Sequence, residues 1–181
     1  ISAEYPISES GSEADQTYLN LSFVTGLGKD RELAMAMNIL SSALVNQPGT
    51  PIRRALQDAG IGKEVRGYAD DTKQSVFSLT VEKANPGDRD RFREVVFSTL
   101  RKVAAEGLDK RVVEGLINRM EFQLREPRSG YQGLMVGILA LNGWMYADDP
   151  FLTIGYKAQL EGLREKLKTD YLEKIIREKL I

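Results

Sequence analysis

Histidine and cysteine are both absent from this chain of 181 residues. Without cysteine there are no disulfides, no thiol nucleophile and no Cys-based metal site. Without histidine the commonest general base at neutral pH and the commonest zinc ligand are missing, and no Ser-His-Asp triad can form within the chain. Charge of one sign is lacking too: 25 Lys and Arg stand against 26 Asp and Glu, a formal net of −1. That balance exerts no long-range pull, so neither nucleic acid nor an anionic membrane is expected as a partner. The most apolar segment, Leu134 to Tyr146, falls far short of the ~20 residues a membrane-spanning helix needs. Residues 1–16 are polar and acidic rather than basic and then apolar, so no secretory leader is read there.

What is present suits a packed core. Hydrophobic residues make up 42% of the chain, and no repeat, low-complexity tract or internal linker divides it. One domain over residues 1–181 is expected. The chain opens on Ile1 without Met and stops at Ile181 inside a helical pattern, as an excised piece of a longer polypeptide would. A soluble setting, cytoplasmic or in an organelle matrix, is the expectation.

Thr17 to Thr25 alternates Leu19, Leu21 and Phe23 with Asn20 and Ser22, the pattern of a half-buried strand. After the Gly26-Leu27-Gly28-Lys29 turn, Asp30 can cap a helix that buries Leu33, Met37, Leu40 and Leu44. Pro48-Gly49 stops it. Thr50 can cap a shorter helix with Pro51 at its first position, Ile52, Ala55 and Leu56 inside and Gly60 at its end. Val65–Ala69 and Gln74–Glu82 read as strands joined at Asp70-Asp71-Thr72. Asn85-Pro86-Gly87 breaks the chain, and Asp88 can cap a helix striped by Phe92, Val95, Val96, Leu100 and Val103, with Gly107 as its C-cap. A hairpin separated from the first strand by helices predicts an α+β fold: a mainly antiparallel sheet, helices on one face and a helix-rich C-terminal part.

The stretch from Arg111 to Phe151 is read as the organising element. Its first helix, cappable by Asp109 and blocked by Pro127, carries Val113, Leu116, Ile117, Met120 and Leu124 at helical spacing. Its second carries Leu134, Ile138, Leu141 and Met145, beside a small-residue stripe of Gly133, Gly137 and Ala140 that predicts close backbone contact. A sharp corner at Asp148-Asp149-Pro150 leads to two more amphipathic segments, with Leu160, Leu163 and Leu167, then Leu172, Ile175, Ile176 and Leu180.

Chemistry-bearing groupings have plainer readings. Glu121, Arg125, Glu126 and Arg128 flank the turn after Leu124; Glu121 and Arg125 are spaced to pair on one helix face. Glu121 and Glu126 point to different helix faces, which argues against a paired-carboxylate site. Asp70-Asp71 and Asp148-Asp149 lack the ligand spacing of a calcium loop and suit turns. Gly26-Leu27-Gly28 lacks the third glycine of a dinucleotide loop. Arg53-Arg54 could hold a phosphate or a carboxylate but reads as a solvated face. Trp144 and Tyr146 read as core or interface. On the residues alone, the chain is an α+β domain without its own visible active site, for which an interaction module is the default.

The strand YLNLSFVTG, the segment ILSSALVNQPGTPIRRALQDAGIG, and then EFQLRE followed by GLMVGILALNGWMYADDPF together resemble the second domain of presequence-protease-type metallopeptidases. These are zinc peptidases of the pitrilysin/insulinase group. The likeness runs from about Tyr5 to Phe151 and rests on the order and spacing of these pieces. It implies a large enzyme of related α+β domains in two hinged halves that enclose a chamber where unfolded peptides are cut. It further implies a catalytic domain holding zinc with an inverted His-x-x-Glu-His motif, and a last domain supplying an Arg and a Tyr. Where those two would fall, this chain has Gln57 and Lys63. No catalytic residue, zinc ligand or substrate-binding residue is therefore assigned here. The resemblance implies a non-catalytic domain that supports the catalytic one, walls the chamber and helps hold peptide. Its partners would be the catalytic domain and second half of the parent polypeptide and peptide substrates, with a homodimer of the fragment as a further possibility. The alternative is an independent interaction or scaffold domain that uses the fold without proteolysis.

Overall fold

The structure, a computed structural model, describes residues 1–7, 12–126 and 132–181. Pro127, Arg128 and the Glu9-Ser10-Gly11 part of the N-terminal turn lie outside the described residues. Strand β1, Thr17–Leu27, is followed by helix α1, Arg31–Ser41, which runs on through a wider π-type turn, Ser42–Asn46. Helix α2 (Pro51–Asp58) leads to the hairpin of β2 (Glu64–Asp71) and β3 (Gln74–Ala84). A 3₁₀ turn, Pro86–Asp88, opens α3 (Arg89–Glu106). The chain continues with α4 (Lys110–Arg125), α5 (Gln132–Ala147), α6 (Lys157–Lys166) and α7 (Tyr171–Ile175), which ends in a π-type turn, Ile176–Leu180.

The three strands pair antiparallel in the order β1-β3-β2, so the α+β expectation is met. One sheet face is polar, with Asn20 Nδ2 donating to Thr80 Oγ1 at 2.8 Å and the Ser22 and Ser78 hydroxyls 2.8 Å apart. The other face is the core. Across it, side chains shrink toward β2: Leu21 lies opposite Leu79, and Leu79 opposite Gly67; Phe23 lies opposite Phe77, and Phe77 opposite Ala69. That taper lets α1 approach β2. A Cβ at Gly67 would sit 2.9 Å from Ser41 Oγ and 3.0 Å from Val45 Cβ, so only glycine fits. Helix α1 is the centre of the core, with Ala36, Leu40, Leu44 and Val45 sealed from solvent. Each such leucine stabilises the fold by roughly 1.5–3 kcal/mol through burial.

This corrects the reading that the chain is organised around the 111–151 helix pair. Val113 and Ile117 of α4 join the core, but Leu124 and, on α5, Leu134, Ile138, Leu141, Trp144 and Met145 are exposed, while Ala140 and Tyr146 are half-buried. Periodic apolar spacing marks an apolar face and does not say what packs against it.

Two of the expected caps take other forms. Asp30 Oδ1 accepts the Leu33 N–H at 3.0 Å and Asp109 Oδ1 accepts the Arg111 N–H at 2.8 Å, as expected. Thr50 stands at the N-cap of α2, but its hydroxyl donates to the Gln47 carbonyl at 2.8 Å, closing the preceding turn instead. Asp88 does not cap α3. Pro86 starts helical winding earlier, Asn85 becomes the cap, and the Asp88 carboxylate accepts the Asn85 N–H at 3.0 Å in a capping box.

Candidate functional site: an uncovered apolar helix

The charged groupings singled out from the sequence are structural. Glu121 sits between two arginines: Arg125 Nη2 donates to its Oε1 at 2.7 Å, and Arg164 Nη2, from α6, to its Oε2 at 2.5 Å. Arg164 also donates to Asn118 Oδ1 at 2.8 Å, so the cluster ties α4 to α6. The part of Arg164 was not visible in the sequence, because it lies 43 residues from Glu121. Asp71 pairs with Arg31, and Asp70 Oδ1 accepts the Asp71 N–H at 2.9 Å. Asp149 Oδ1 accepts the Phe151 N–H at 2.9 Å, closing the corner after α5. Gly28 packs against the backbone of Asp71 and Thr72. Gln57 is exposed, and Lys63 Nζ donates to Asp15 Oδ2 at 2.6 Å. That bond holds the Asp15 carboxyl below its usual range.

The reading of Arg53-Arg54 as a solvated face is half right. Arg54 is exposed, reaching Asp58 at 3.8 Å. Arg53 instead spans two elements: its Nε donates to the Val45 carbonyl at 2.8 Å and its Nη2 to the Val65 carbonyl at 2.6 Å. Both acceptors are backbone oxygens, so its bonds hold the end of α1 against β2.

No group of three metal-binding side chains is gathered among the described residues. What stands out is α5. Leu134, Met135, Val136, Ile138, Leu139 and Leu141 are all exposed, Leu134 by 62%. At about 100° per residue these six cover roughly 220° of the helix circumference, and the small residues Gly133, Gly137 and Ala140 fill the remaining sector. A helix that is apolar all round belongs inside a protein, not on its surface. Trp144, Met145 and Phe151 extend the patch at 65%, 61% and 73% exposure. Trp144 is therefore no part of this chain's core. The small-residue stripe is uncovered as well: a Cβ at Gly133 or Gly137 would meet nothing within 4 Å. Gly143 differs. Its added Cβ would strike the Asp149 carbonyl and lie 3.1 Å from Thr153 Oγ1, so the corner after α5 folds back onto that glycine. No described helix is long and apolar enough to cross a membrane.

Comparison with known proteins agrees with this picture of a part. Residues 2–120 match the family model for the "Peptidase M16 inactive domain". A relative from Clostridium perfringens, protein HypA, is 36% identical over 98% of this chain, which spans 18% of that protein. Presequence protease 1, chloroplastic/mitochondrial, of Arabidopsis thaliana is 28% identical over 76% of the chain, spanning 13% of its length. The fold matches the inactive peptidase domain of a protein assigned as a zinc protease in Bordetella parapertussis. That match has a TM-score of 0.70 at 14% identity and covers 91% of this chain and 86% of that one.

Proposed function

Because the chain belongs to the peptidase M16 inactive-domain family, we propose that it is the non-catalytic domain of a zinc-dependent metalloendopeptidase. In that role it backs the catalytic domain, forms part of a chamber wall and helps hold unfolded peptides. The observation that carries the reading is α5, whose apolar surface has no partner within the described chain. Its partners are the catalytic domain and the second half of the same polypeptide. Zinc belongs to the catalytic domain. The residues here do not fit a zinc site, since His and Cys are absent and carboxylates alone suit harder ions.

The test compares the 181-residue chain with its parent polypeptide, each carrying Leu134→Asp with Leu141→Asp. At concentrations dilute enough to keep the isolated chain monomeric, its thermal melt stays within error, because both positions are exposed there. Peptide cleavage by the parent falls at least about tenfold, as expected when charge is buried without a partner. Chelator-washed isolated chain holds no stoichiometric zinc and cuts no fluorogenic peptide, while the parent does both. A parent without zinc, or one indifferent to the two aspartates, overturns the proposal.

A further inference from the structure

A cleft opens between the start of α4, the end of α6 and α7. Its volume is about 570 Å³, inside the range of small-molecule sites, roughly 300–1,000 Å³. An apolar cavity of ~150 Å³ already takes one benzene ring, so this cleft has room for roughly two or three apolar side chains. The floor is apolar: Val113, Ile117 and Leu172 are buried, and Leu108 and Leu167 are half-buried. On α4, Lys110, Val113, Glu114 and Ile117 follow one another at helical spacing, so one helix face supplies both floor and rim.

Most polar groups of the rim are already engaged. Arg164 binds Asn118 and Glu121. Lys168 Nζ donates to both Glu165 oxygens, at 2.7 and 2.6 Å. The Thr169 hydroxyl donates to the Lys166 carbonyl at 2.6 Å, and Glu173 Oε1 accepts the Leu108 N–H at 2.9 Å. Lys110 and Glu114 are the exceptions. Both are exposed, and neither has a hydrogen bond or ion pair among the described residues. They stand about one helical turn apart with opposite charge, and Lys before Glu is the poorer order for a pair within a helix. A ligand with a carboxylate alone would answer Lys110 and set its charge against Glu114. An amine alone has the converse fault, and an uncharged ligand answers neither. A ligand with one charge of each sign on an apolar body answers both and fills the floor.

We infer that this cleft binds a short zwitterionic peptide, a di- or tripeptide of apolar residues. Its carboxylate lies on Lys110, its ammonium on Glu114, and its side chains on Val113, Ile117 and Leu172. The site belongs to the helical layer and uses neither the sheet nor α5. Short products of peptide cleavage have this chemistry, but the cleft would bind them whatever released them, so failure here leaves the peptidase reading untouched.

The test adds leucyl-leucine to the intact parent polypeptide and follows amide exchange over residues 108–117 and 163–175, which line the cleft. Bound dipeptide slows exchange there, half-maximally at about 0.1–1 mM, ordinary for a ligand of this size. Lys110→Gln and Glu114→Gln, both at exposed positions, each raise that concentration about three- to fivefold, the worth of an exposed ion pair. N-acetyl-leucyl-leucine amide keeps the side chains, lacks both charged ends and binds about tenfold more weakly or worse. Glycyl-glycine keeps the ends, lacks the side chains and gives no protection over the same range. A capped peptide as effective as leucyl-leucine, or either variant binding like wild type, overturns the inference. Exchange in these segments that is unchanged at tenfold above the expected range overturns it too.

Discussion

Asn46 grips Gly67 by both of its backbone groups: the side-chain Nδ2 donates to the Gly67 carbonyl at 2.8 Å, and Oδ1 accepts the Gly67 N–H at 2.8 Å. An asparagine that satisfies one donor and one acceptor of a strand stands in for a neighbouring strand. Gly67 is the residue that admits it, because the absent Cβ lets Ser41 and Val45 come against β2.

Asn46→Ala removes both bonds to Gly67 and the bond that Nδ2 donates to Ser41 Oγ at 3.0 Å, and is expected to cost roughly 1.5–4 kcal/mol, the net worth of three such bonds. Asn46→Asp keeps the acceptor but sets a carboxylate oxygen against the Gly67 carbonyl, so it is at least as destabilising as alanine. Urea unfolding of the three proteins checks the order. An alanine variant as stable as wild type would show that the edge groups are equally content in water.

Glycine to alanine separates covered from uncovered parts of α5. Gly137→Ala meets open space and raises local helix stability by roughly 0.5–1 kcal/mol. Gly143→Ala strikes the Asp149 carbonyl and costs roughly 1–3 kcal/mol through displacement of the corner. Amide exchange within α5 reads both, since a helix detached from the core escapes a global melt. Slower exchange with the first change and faster with the second is expected; the reverse order would place the packed face at Gly137.

Much of the fold is legible along the chain because it is local. Leu19, Leu21 and Phe23 alternate on β1, and Asp30 and Asp109 sit where helix amides need an acceptor. What escaped depends on contacts between distant residues. Arg53 looks like a surface charge until Val45 and Val65 turn carbonyls toward it. Asp88 and Asn85 are both competent caps, and Pro86, which fixes its own φ, decides between them by starting the helix early. For α5 the apolar sequence points to burial, but no element among the described residues covers it.

Tyr171 gives the fold a pH dependence in alkali. Burial first, then the neighbouring Glu32 carboxylate, pushes its phenol up to about 12 from an ordinary 10.0. Above pH 10 the unfolded chain releases this proton while the folded one retains it. Stability from this group is therefore whole below pH 10 and declines as pH rises toward 12. Denaturant midpoints between these two pH values fall more steeply for wild type than for Tyr171→Phe, which has no proton to lose. Parallel slopes would assign the alkaline loss to other groups.

The isolated chain should also associate with itself. Six apolar side chains of α5, with Trp144, Met145 and Phe151 beside them, form a continuous uncovered patch. Clustered exposed apolar side chains of this kind mark interaction surfaces on soluble proteins. The most direct way to cover it without the parent is a second copy in a two-fold dimer, where each helix lies on the other. Sedimentation over a concentration series should show a monomer–dimer equilibrium that Leu134→Asp with Leu141→Asp shifts to monomer. Addition of the upstream part of the parent should compete with the dimer, because both would use the same surface. A wild-type chain that stays monomeric at all concentrations and ignores the upstream part would mean that α5 tolerates water, removing the main physical support for its burial in a larger enzyme.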